Sequence, residues 1–188
     1  MKIGILALQG AVREHAQMLE ALNCEVVLVK EVQHLPQLDG LILPGGESTA
    51  MRKLLERGQL LEPIRDAISN GLPVFGTCAG LILLAREVIG QESHFAVMDI
   101  VVERNSYGRQ IDSFEVELPV KHIDDDVKAV FIRAPHIVEV GKDVEVLATF
   151  EGKIVLARQQ HMLGCAFHPE LTTDLRLLRY FVEKVVAM

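Results

Sequence analysis

This sequence of 188 residues lacks long apolar runs, basic blocks and the layout of a signal peptide, and each absence excludes a class of protein. No apolar stretch approaches the roughly eighteen residues of a membrane span, so we expect no transmembrane helix. The N-terminal residues 1–5 run directly into a predicted strand, unlike a secretory leader. The net charge is −7 and no segment interleaves basic with aromatic residues, so we expect no nucleic-acid partner.

Cysteine is scarce, with three residues that show no paired spacing. This pattern favours a reducing cytosol over a disulfide scaffold, and we therefore expect a cytoplasmic protein. Free cysteines are commonly buried, so Cys24 and Cys165 are predicted to be packing residues. Linkers, repeats and low-complexity segments are absent as well, which predicts a single domain over residues 1–188.

Short apolar strands alternate with amphipathic helices through the first half of the chain. This alternation predicts a mostly parallel sheet with helices on both faces. The predicted strands cover residues 2–8, 25–29, 40–43 and 72–75, and the predicted helices cover residues 12–22, 48–57, 60–70 and 79–88.

The region between residues 95 and 167 has a different pattern, with strands joined by short turns. We predict these strands at residues 97–102, 113–118, 127–132, 144–150, 153–158 and 164–167. They indicate a small antiparallel extension of the α/β sheet, with Glu151-Gly152 as a hairpin turn. A final amphipathic helix is predicted over residues 174–186.

The segment Gly76-Thr77-Cys78-Ala79-Gly80 lies between a predicted strand and a predicted helix. Gly-x-Cys-x-Gly is the cysteine form of a nucleophile elbow, a sharp turn that leaves no room for side chains beside the nucleophile. The N-terminus of the following helix would favour the reactive thiolate of Cys78. The alternative is a small buried cysteine between two loop glycines.

A candidate base and carboxylate follow the last predicted strand, in the segment His168-Pro169-Glu170. Residues two apart in an extended segment face the same way, so Glu170 is placed to orient the ring of His168. With Cys78, they form a candidate nucleophile, base and orienting acid. Taken alone, the segment is equally compatible with a polar turn.

The loop Pro44-Gly45-Gly46-Glu47-Ser48-Thr49 follows a third apolar strand. Paired glycines leave backbone N–H groups uncovered, as an oxyanion hole requires. The alternative is an ordinary strand-to-helix loop in which Ser48 or Thr49 caps the helix, and both interpretations can hold together. The Gly-x4-Gly-Lys-Ser/Thr signature of a phosphate-binding loop is absent.

These three motifs together resemble the class I glutamine amidotransferases. Further segments resemble one group among them, the glutaminase subunit of pyridoxal 5′-phosphate synthase. The similar blocks are residues 8–15, 43–49, 75–80, 102–110 and 131–136. The last two of these blocks distinguish that group from other amidotransferases.

The resemblance implies a flavodoxin-like α/β fold and hydrolysis of L-glutamine to glutamate and ammonia by Cys78, His168 and Glu170. It implies an oxyanion hole from the N–H groups of Gly46 and Ala79. It further implies glutamine-binding residues at Gly46, Glu47, Ser48, Arg104, Ile132 and Arg133. From the residues alone, Arg104 and Arg133 fit either structural ion pairs or contacts to an amino-acid carboxylate.

The resemblance also implies a partner, a separate synthase subunit that receives the ammonia and makes pyridoxal 5′-phosphate from a pentose phosphate and a triose phosphate. It places the segment around Gln9 near the contact with that subunit, whereas Gln9 and His15 by themselves fit either the core edge or a partner surface. Both hydrolase and lyase classes are expected, and no metal or organic cofactor is implied.

Other functions are open on the sequence alone. One is a related enzyme, either a glutaminase that serves a different synthase or a Cys-His esterase, and an ammonia assay separates the esterase from a glutaminase. Another is a non-catalytic regulatory subunit that binds glutamine without turnover. Covalent labelling by a glutamine-like electrophile distinguishes that subunit from an enzyme.

Overall fold

A computed structural model of the chain describes residues 1–104 and 113–187. Residues 105–110 of the block 102–110 therefore lie outside the described residues. The strands are β1 (Lys2–Leu6), β2 (Glu25–Val29), β3 (Gly40–Leu43), β4 (Val74–Thr77), β5 (Ala85–Val88), β6 (Met98–Glu103), β7 (Ser113–Leu118), β8 (Val127–Ile132), β9 (His136–Val140), β10 (Glu145–Phe150), β11 (Lys153–Gln159) and β12 (Met162–Cys165). The α-helices are α1 (Val12–Ala21), α2 (Ser48–Arg57), α3 (Leu61–Ser69), α4 (Ala79–Leu84) and α5 (Arg176–Phe181).

Five strands form the parallel half of the main sheet, in the order β2-β1-β3-β4-β12. Strands β3, β4 and β12 are buried along their whole length, as expected when helices cover both faces. On β4, Phe75 packs against Phe181 of α5 at 5.5 Å between ring centroids, whereas Gly76 abuts Gly80 of α4. Neighbouring strand residues point to opposite faces, so α4 and α5 lie on opposite sides of the sheet.

The antiparallel strands continue the same sheet. Strand β12 pairs with β11, β11 with β9 and β9 with β6, all antiparallel, while β5 pairs with β6 in parallel and β10 pairs with β11. Only the hairpin β7–β8 forms a separate small sheet within the described residues. The predicted fold class is confirmed, and most of the predicted extension is part of the main sheet.

The turn predicted at Glu151-Gly152 is confirmed. It joins β10 to β11, and both residues have positive φ, 49° and 74°. Two positive φ angles in succession are typical of the tight turn that matches the twist of a β-hairpin.

The helix predicted over residues 79–88 is wrong in its second half. The helix ends at Leu84 because Ala85 takes an extended conformation, with φ −57° and ψ 136°. Residues Ala85–Val88 then form β5, with buried ends and exposed Arg86 and Glu87. The final helix is also shorter than predicted, since α5 spans Arg176–Phe181 and the chain continues as a π-helical segment, Val182–Val186.

Two kinds of feature are absent from the described part of the chain. Within residues 1–104 and 113–187, no helix has the length and apolar character needed to cross a bilayer. The same residues contain no group of three or more His, Cys, Asp or Glu side chains arranged to hold a metal ion.

Candidate active site

A cleft of about 450 Å³ opens at the carboxyl ends of the parallel strands. This edge is where ligands bind in α/β sheets, because the strand-to-helix loops meet there. The structure brings eight of the predicted site residues to the wall of this one cleft: Gly46, Glu47, Ser48, Cys78, Arg104, Ile132, Arg133 and His168. Glu170 lies behind His168, and Ala79 begins the helix that follows Cys78.

Cys78 lies on a strained turn between β4 and α4. Its φ of 49° and ψ of −101° are unusual for a residue with a side chain, and its N–H donates to the carbonyl of Cys165 at 2.9 Å. A Cβ added to Gly76 would lie 2.5 Å from the backbone of Gly80, and one added to Gly80 would collide with the carbonyl of Leu43. Both glycines are therefore required by close backbone contacts, as the elbow interpretation predicts.

His168 and Glu170 are paired beside the nucleophile. The Nδ1 atom of His168 lies 2.7 Å from Oε1 of Glu170, whose side chain is fully buried. The β12 strand that precedes His168 pairs in parallel with β4, and Cys165 is the register partner of Thr77. The two strands thus place the candidate base and nucleophile side by side.

The charge state of His168 depends on both neighbours. Burial by itself lowers the pKa of His168, but the hydrogen bonds and charges of Cys78 and Glu170 outweigh burial and raise the pKa to about 10. His168 is therefore protonated at neutral pH when Cys78 carries a negative charge. An imidazolium beside the sulfur stabilises the thiolate, which is the nucleophilic form of cysteine.

The glycine loop after β3 rests on the segment that follows β1. The carbonyl of Gly45 accepts a hydrogen bond from the N–H of Ala11 at 3.1 Å, and Oε1 of Gln9 accepts one from the N–H of Glu47 at 2.9 Å. A Cβ on Gly46 would collide with the side chain of Gln9. Because a trans peptide directs its C=O and N–H oppositely, the bond to Ala11 also fixes the direction of the Gly46 N–H.

Glu47, rather than Ser48 or Thr49, caps α2. Its carboxylate accepts hydrogen bonds from the N–H groups of Thr49 at 3.0 Å and Ala50 at 2.7 Å. The predicted cap was wrong because the helix begins at Ser48, one residue earlier than a Ser48 cap requires and two earlier than a Thr49 cap requires. Burial raises the pKa of Glu47, but these hydrogen bonds and the charge of Arg104 outweigh burial and lower it.

Ser48 contributes an unused hydroxyl to the cleft. Its residue is 1% exposed, and its Oγ has no hydrogen-bond partner among the residues that the structure describes. A buried hydroxyl without a partner is costly, so this group is available to a bound ligand.

The two predicted arginines differ in their surroundings. Arg104 donates to Oε1 of Gln91 at 2.8 Å and lies 3.3 Å from the carboxylate of Glu47. Arg133 is exposed, has a φ of 42° at the end of β8 and forms no ion pair with any described residue. The structure therefore gives Arg104 a structural partner while leaving both cations at the cleft wall.

The sequence did not assign a site role to His15 or to Thr77. His15 is 1% exposed and lies behind the triad, with Nε2 3.1 Å from Oγ1 of Thr77 and 3.6 Å from Oε2 of Glu170. Of the two orientations open to His15, the structure shows the one toward the core. The one signal for His15 in the sequence was its position in residues 8–15, a block that resembles the glutaminase subunit.

Comparison with known proteins finds matches over nearly the whole chain. The model of the SNO glutamine amidotransferase family matches residues 5–187. Proteins named pyridoxal 5′-phosphate synthase subunit PdxT are similar to this chain. The protein from Geobacillus sp. (strain WCH70) is 58% identical over 186 residues, which cover 98% of this chain and 97% of the relative. The protein from Bacillus velezensis is 53% identical over 184 residues, which cover 97% and 94%.

Solved structures also match this chain over nearly its whole length. A crystal structure of a glutamine amidotransferase matches with a TM-score of 0.93 and 44% identity, covering 99% of each chain. A structure of PurLQS from Thermotoga maritima matches with a TM-score of 0.70, covering 97% of this chain and 97% of the other. Its identity is 16%, so it supports the fold alone.

Proposed function

The chain belongs to the SNO glutamine amidotransferase family, and from that premise we propose which of its residues carry out each step of the reaction. Its function is that of a glutaminase subunit of pyridoxal 5′-phosphate synthase. It hydrolyses L-glutamine to L-glutamate and ammonia, and it supplies the ammonia to a synthase subunit.

The expected lyase class is wrong. The family is one of glutamine amidotransferases, and the reaction assigned to this subunit is hydrolysis of an amide. The chain is therefore a hydrolase.

The observation that carries the mechanism is the position of His168, which interacts with Cys78 on one side and Glu170 on the other. His168 takes the thiol proton of Cys78, and the thiolate attacks the side-chain amide carbon of glutamine. A C–S bond forms while the carbonyl electron pair moves to oxygen. The carboxylate of Glu170 fixes the imidazole orientation and stabilises its positive charge.

The oxyanion is held by the N–H groups of Gly46 and Ala79. Ala79 is the first residue of α4, so its N–H has no partner within the helix. Loss of one such donor commonly lowers the rate by about 10²–10³-fold. The direction of the Gly46 N–H is therefore a determinant of activity.

The intermediate collapses when the C–N bond breaks and His168 gives its proton to the departing nitrogen, which leaves as ammonia. Acylation removes the negative charge from Cys78, and with it one of the influences that raise the pKa of His168. His168 then accepts a proton from water, the resulting hydroxide attacks the thioester, and the C–S bond breaks to release glutamate. The same imidazole thus acts as acid and base in turn.

We assign glutamine binding to Gly46, Glu47, Ser48, Arg104, Ile132 and Arg133. A cleft of about 450 Å³ suits one amino acid. The guanidinium groups of Arg104 and Arg133 are suited to the α-carboxylate of the substrate. The unpartnered hydroxyl of Ser48 supplies a further hydrogen-bonding group at the same wall.

We also propose that the protein is located in the cytoplasm. It rests on the three cysteines, which are all free and buried in the structure. Free thiols persist in reducing compartments, where disulfides are rare.

The test is steady-state ammonia release from glutamine by this chain together with its synthase subunit. We expect Cys78→Ala to abolish turnover while folding and glutamine binding stay largely intact, because alanine is small and the sulfur forms the covalent bond. Cys24→Ala is the matched control, since Cys24 is a free buried cysteine remote from the cleft wall. Ammonia release by Cys78→Ala near the wild-type rate would overturn the assignment.

A glutamine-like electrophile gives a second measurement. In the wild type it should modify Cys78 and spare Cys24 and Cys165, as read by mass spectrometry of the peptides. A chain that binds glutamine without turnover would not react, so the same experiment tests the regulatory alternative.

A further inference from the structure

A second buried histidine lies behind the triad, and the mechanism above does not use it. His15 projects from α1, and its Nε2 lies between Oγ1 of Thr77 at 3.1 Å and Oε2 of Glu170 at 3.6 Å. Glu170 binds His168 through Oε1, whereas Oε2 is buried without a hydrogen-bond partner in the described part of the chain. A buried carboxylate oxygen without a donor is destabilising, so the group that faces it matters.

The protonation of His15 follows from its surroundings. Burial and the charge of His168 lower the pKa of His15, while Glu170 and Glu14 raise it, and the net direction is downward because burial is the largest effect. His15 is therefore neutral near pH 7 and has a single N–H.

The position of that proton follows from the contacts. Nδ1 of His15 is buried without a partner among the described residues, whereas Nε2 faces two oxygens. A proton on Nε2 gives Thr77 a hydrogen bond and places a positive dipole toward Oε2 of Glu170. A proton on Nδ1 would bury an unpaired donor and leave Oε2 facing a lone pair.

Other titratable groups near Glu170 are His168 and the thiol of Cys165. Burial and the nearby charges of Glu170 and Cys78 raise the pKa of Cys165 well above its usual value, and its Sγ lies 3.2 Å from the carbonyl of Phe167. Cys165 is therefore a neutral thiol. The two histidines on either side of Glu170 are the groups that set its electrostatic surroundings.

We propose that His15 is a positioning residue for glutamine hydrolysis, whose Nε2–H holds Glu170 and Thr77 in a fixed relation. Thr77 directly precedes the nucleophile on β4, and Glu170 orients the base after β12. His15 therefore connects the two strand ends that carry the reacting groups, and it acts on Cys78 and His168 through them. This role rests on the proposed function of Cys78, His168 and Glu170.

The test compares three substitutions of His15. The amide nitrogen of His15→Gln reaches the place of Nε2, that of His15→Asn reaches only the place of Nδ1, and His15→Leu has no donor. We expect His15→Asn and His15→Leu to lower kcat for glutamine by about tenfold or more, since small misplacements of reacting groups are costly. KM should stay within about twofold, and His15→Gln should recover most of kcat.

The matched control is His161. Its Nε2 lies 2.8 Å from the carbonyl of Ile68, and it precedes β12 at the opposite end of the strand from His168. His161→Gln, His161→Asn and His161→Leu should leave kcat unchanged. Circular dichroism of every variant establishes that it is folded before kinetics are compared.

The second readout does not depend on glutamine turnover. The rate at which iodoacetamide alkylates Cys78, followed at its peptide by mass spectrometry across pH, reports the Cys78–His168 pair. We expect this profile to shift in His15→Asn and His15→Leu and to return toward the wild type in His15→Gln. If the wild-type chain released no ammonia even together with its synthase subunit, the proposed function would fail, and this profile would still decide the role of His15.

Two outcomes overturn the proposal. One is wild-type kcat and an unchanged alkylation profile in His15→Asn. The other is an equal loss of kcat in all three variants with no change in the profile, which would make His15 a packing residue only.

Discussion

The triad and the glycine loop meet at one cleft, where Gly45 packs against His168, but they are held in different ways. Cys78 and His168 follow paired strands of the sheet, and their backbone N–H groups donate to Cys165 and Val130 at 2.9 and 2.8 Å. The loop at Gly45-Gly46 is held by two hydrogen bonds from outside the sheet, to Ala11 and Gln9. The nucleophile side is fixed by the core, whereas the oxyanion side is set by a contact between two loops.

This difference indicates where activity can be controlled. A peptide between two glycines reorients at little steric cost, whereas a strained turn packed against strand backbones does not. We therefore expect the triad to be formed in the free chain and the oxyanion loop to respond to a partner.

Substitutions in the triad should have the largest effect on glutamine turnover. We expect His168→Asn to lower glutamine turnover by about 10²–10⁴-fold, because asparagine cannot shuttle the proton. Glu170→Gln should be impaired but measurable, because the carboxylate orients the imidazole and stabilises its charge without taking the proton itself. Ammonia release is the measurement, and an active His168→Asn beside an inactive Glu170→Gln would reverse the two roles.

Docking of the synthase subunit, which acts on the glycine loop, should change the rate of glutamine hydrolysis by a smaller factor. We predict that the free chain hydrolyses glutamine at least about tenfold more slowly than the complex with its synthase subunit, a barrier difference of about 1.4 kcal/mol. The reason is that contacts near Gln9 set the direction of the Gly46 N–H. Steady-state ammonia release with and without the synthase is the measurement.

Alkylation sharpens this prediction, because iodoacetamide needs the thiolate but not the oxyanion hole. The rate of Cys78 alkylation at fixed pH should therefore differ little between the free chain and a complex in which the reagent reaches the cleft. Equal rates of ammonia release by the free chain and by the complex would mean that the oxyanion hole is already formed in the free chain. The triad and the glycine loop would then not differ in their response to the partner.

The smallest expected change is a shift in a single pKa. Because Cys78 is among the influences that raise the pKa of His168 to about 10, Cys78→Ala should lower it. Histidine ring resonances in NMR titrations measure this directly. His136 is the internal control, because burial and Lys153 lower its pKa and Cys78 is not among the influences on it. A His168 pKa that does not move in Cys78→Ala would refute the coupling.

Much of the fold was predictable because its signals are local. The bounds of β2, β3, α2, β7 and β8 were predicted to the residue. The end of α4 was not, because the chain stays apolar from Leu81 to Ala85 and the hydrophobic period does not change there. Strand β9 was missed as well, since its exposed Val138 and Glu139 break the expected alternation.

The candidate site was predictable where a motif carried its chemistry. The elbow glycines and the His168-Pro169-Glu170 segment are recognisable as sequence, and the sheet then brings them together. His15 and Gln91 were not recognised, because their contacts depend on how separate elements pack. No local pattern distinguishes a histidine on a buried helix face from one that contacts a carboxylate. The assignment of roles to these residues remains a prediction until the variants are measured.

The pairing of β4 with β12 also bears on how the protein is made. Thr77 and Cys165 are register partners although close to half of the chain separates them in sequence, and such distant contacts form late and slow the folding of a domain. During synthesis, Cys78 leaves the ribosome long before His168 and Glu170 exist. A nascent or truncated chain that ends before β12 holds the cysteine without its base, so it cannot hydrolyse glutamine. Enzymatic competence is therefore acquired only when the last strand enters the sheet, and incomplete chains do not release ammonia.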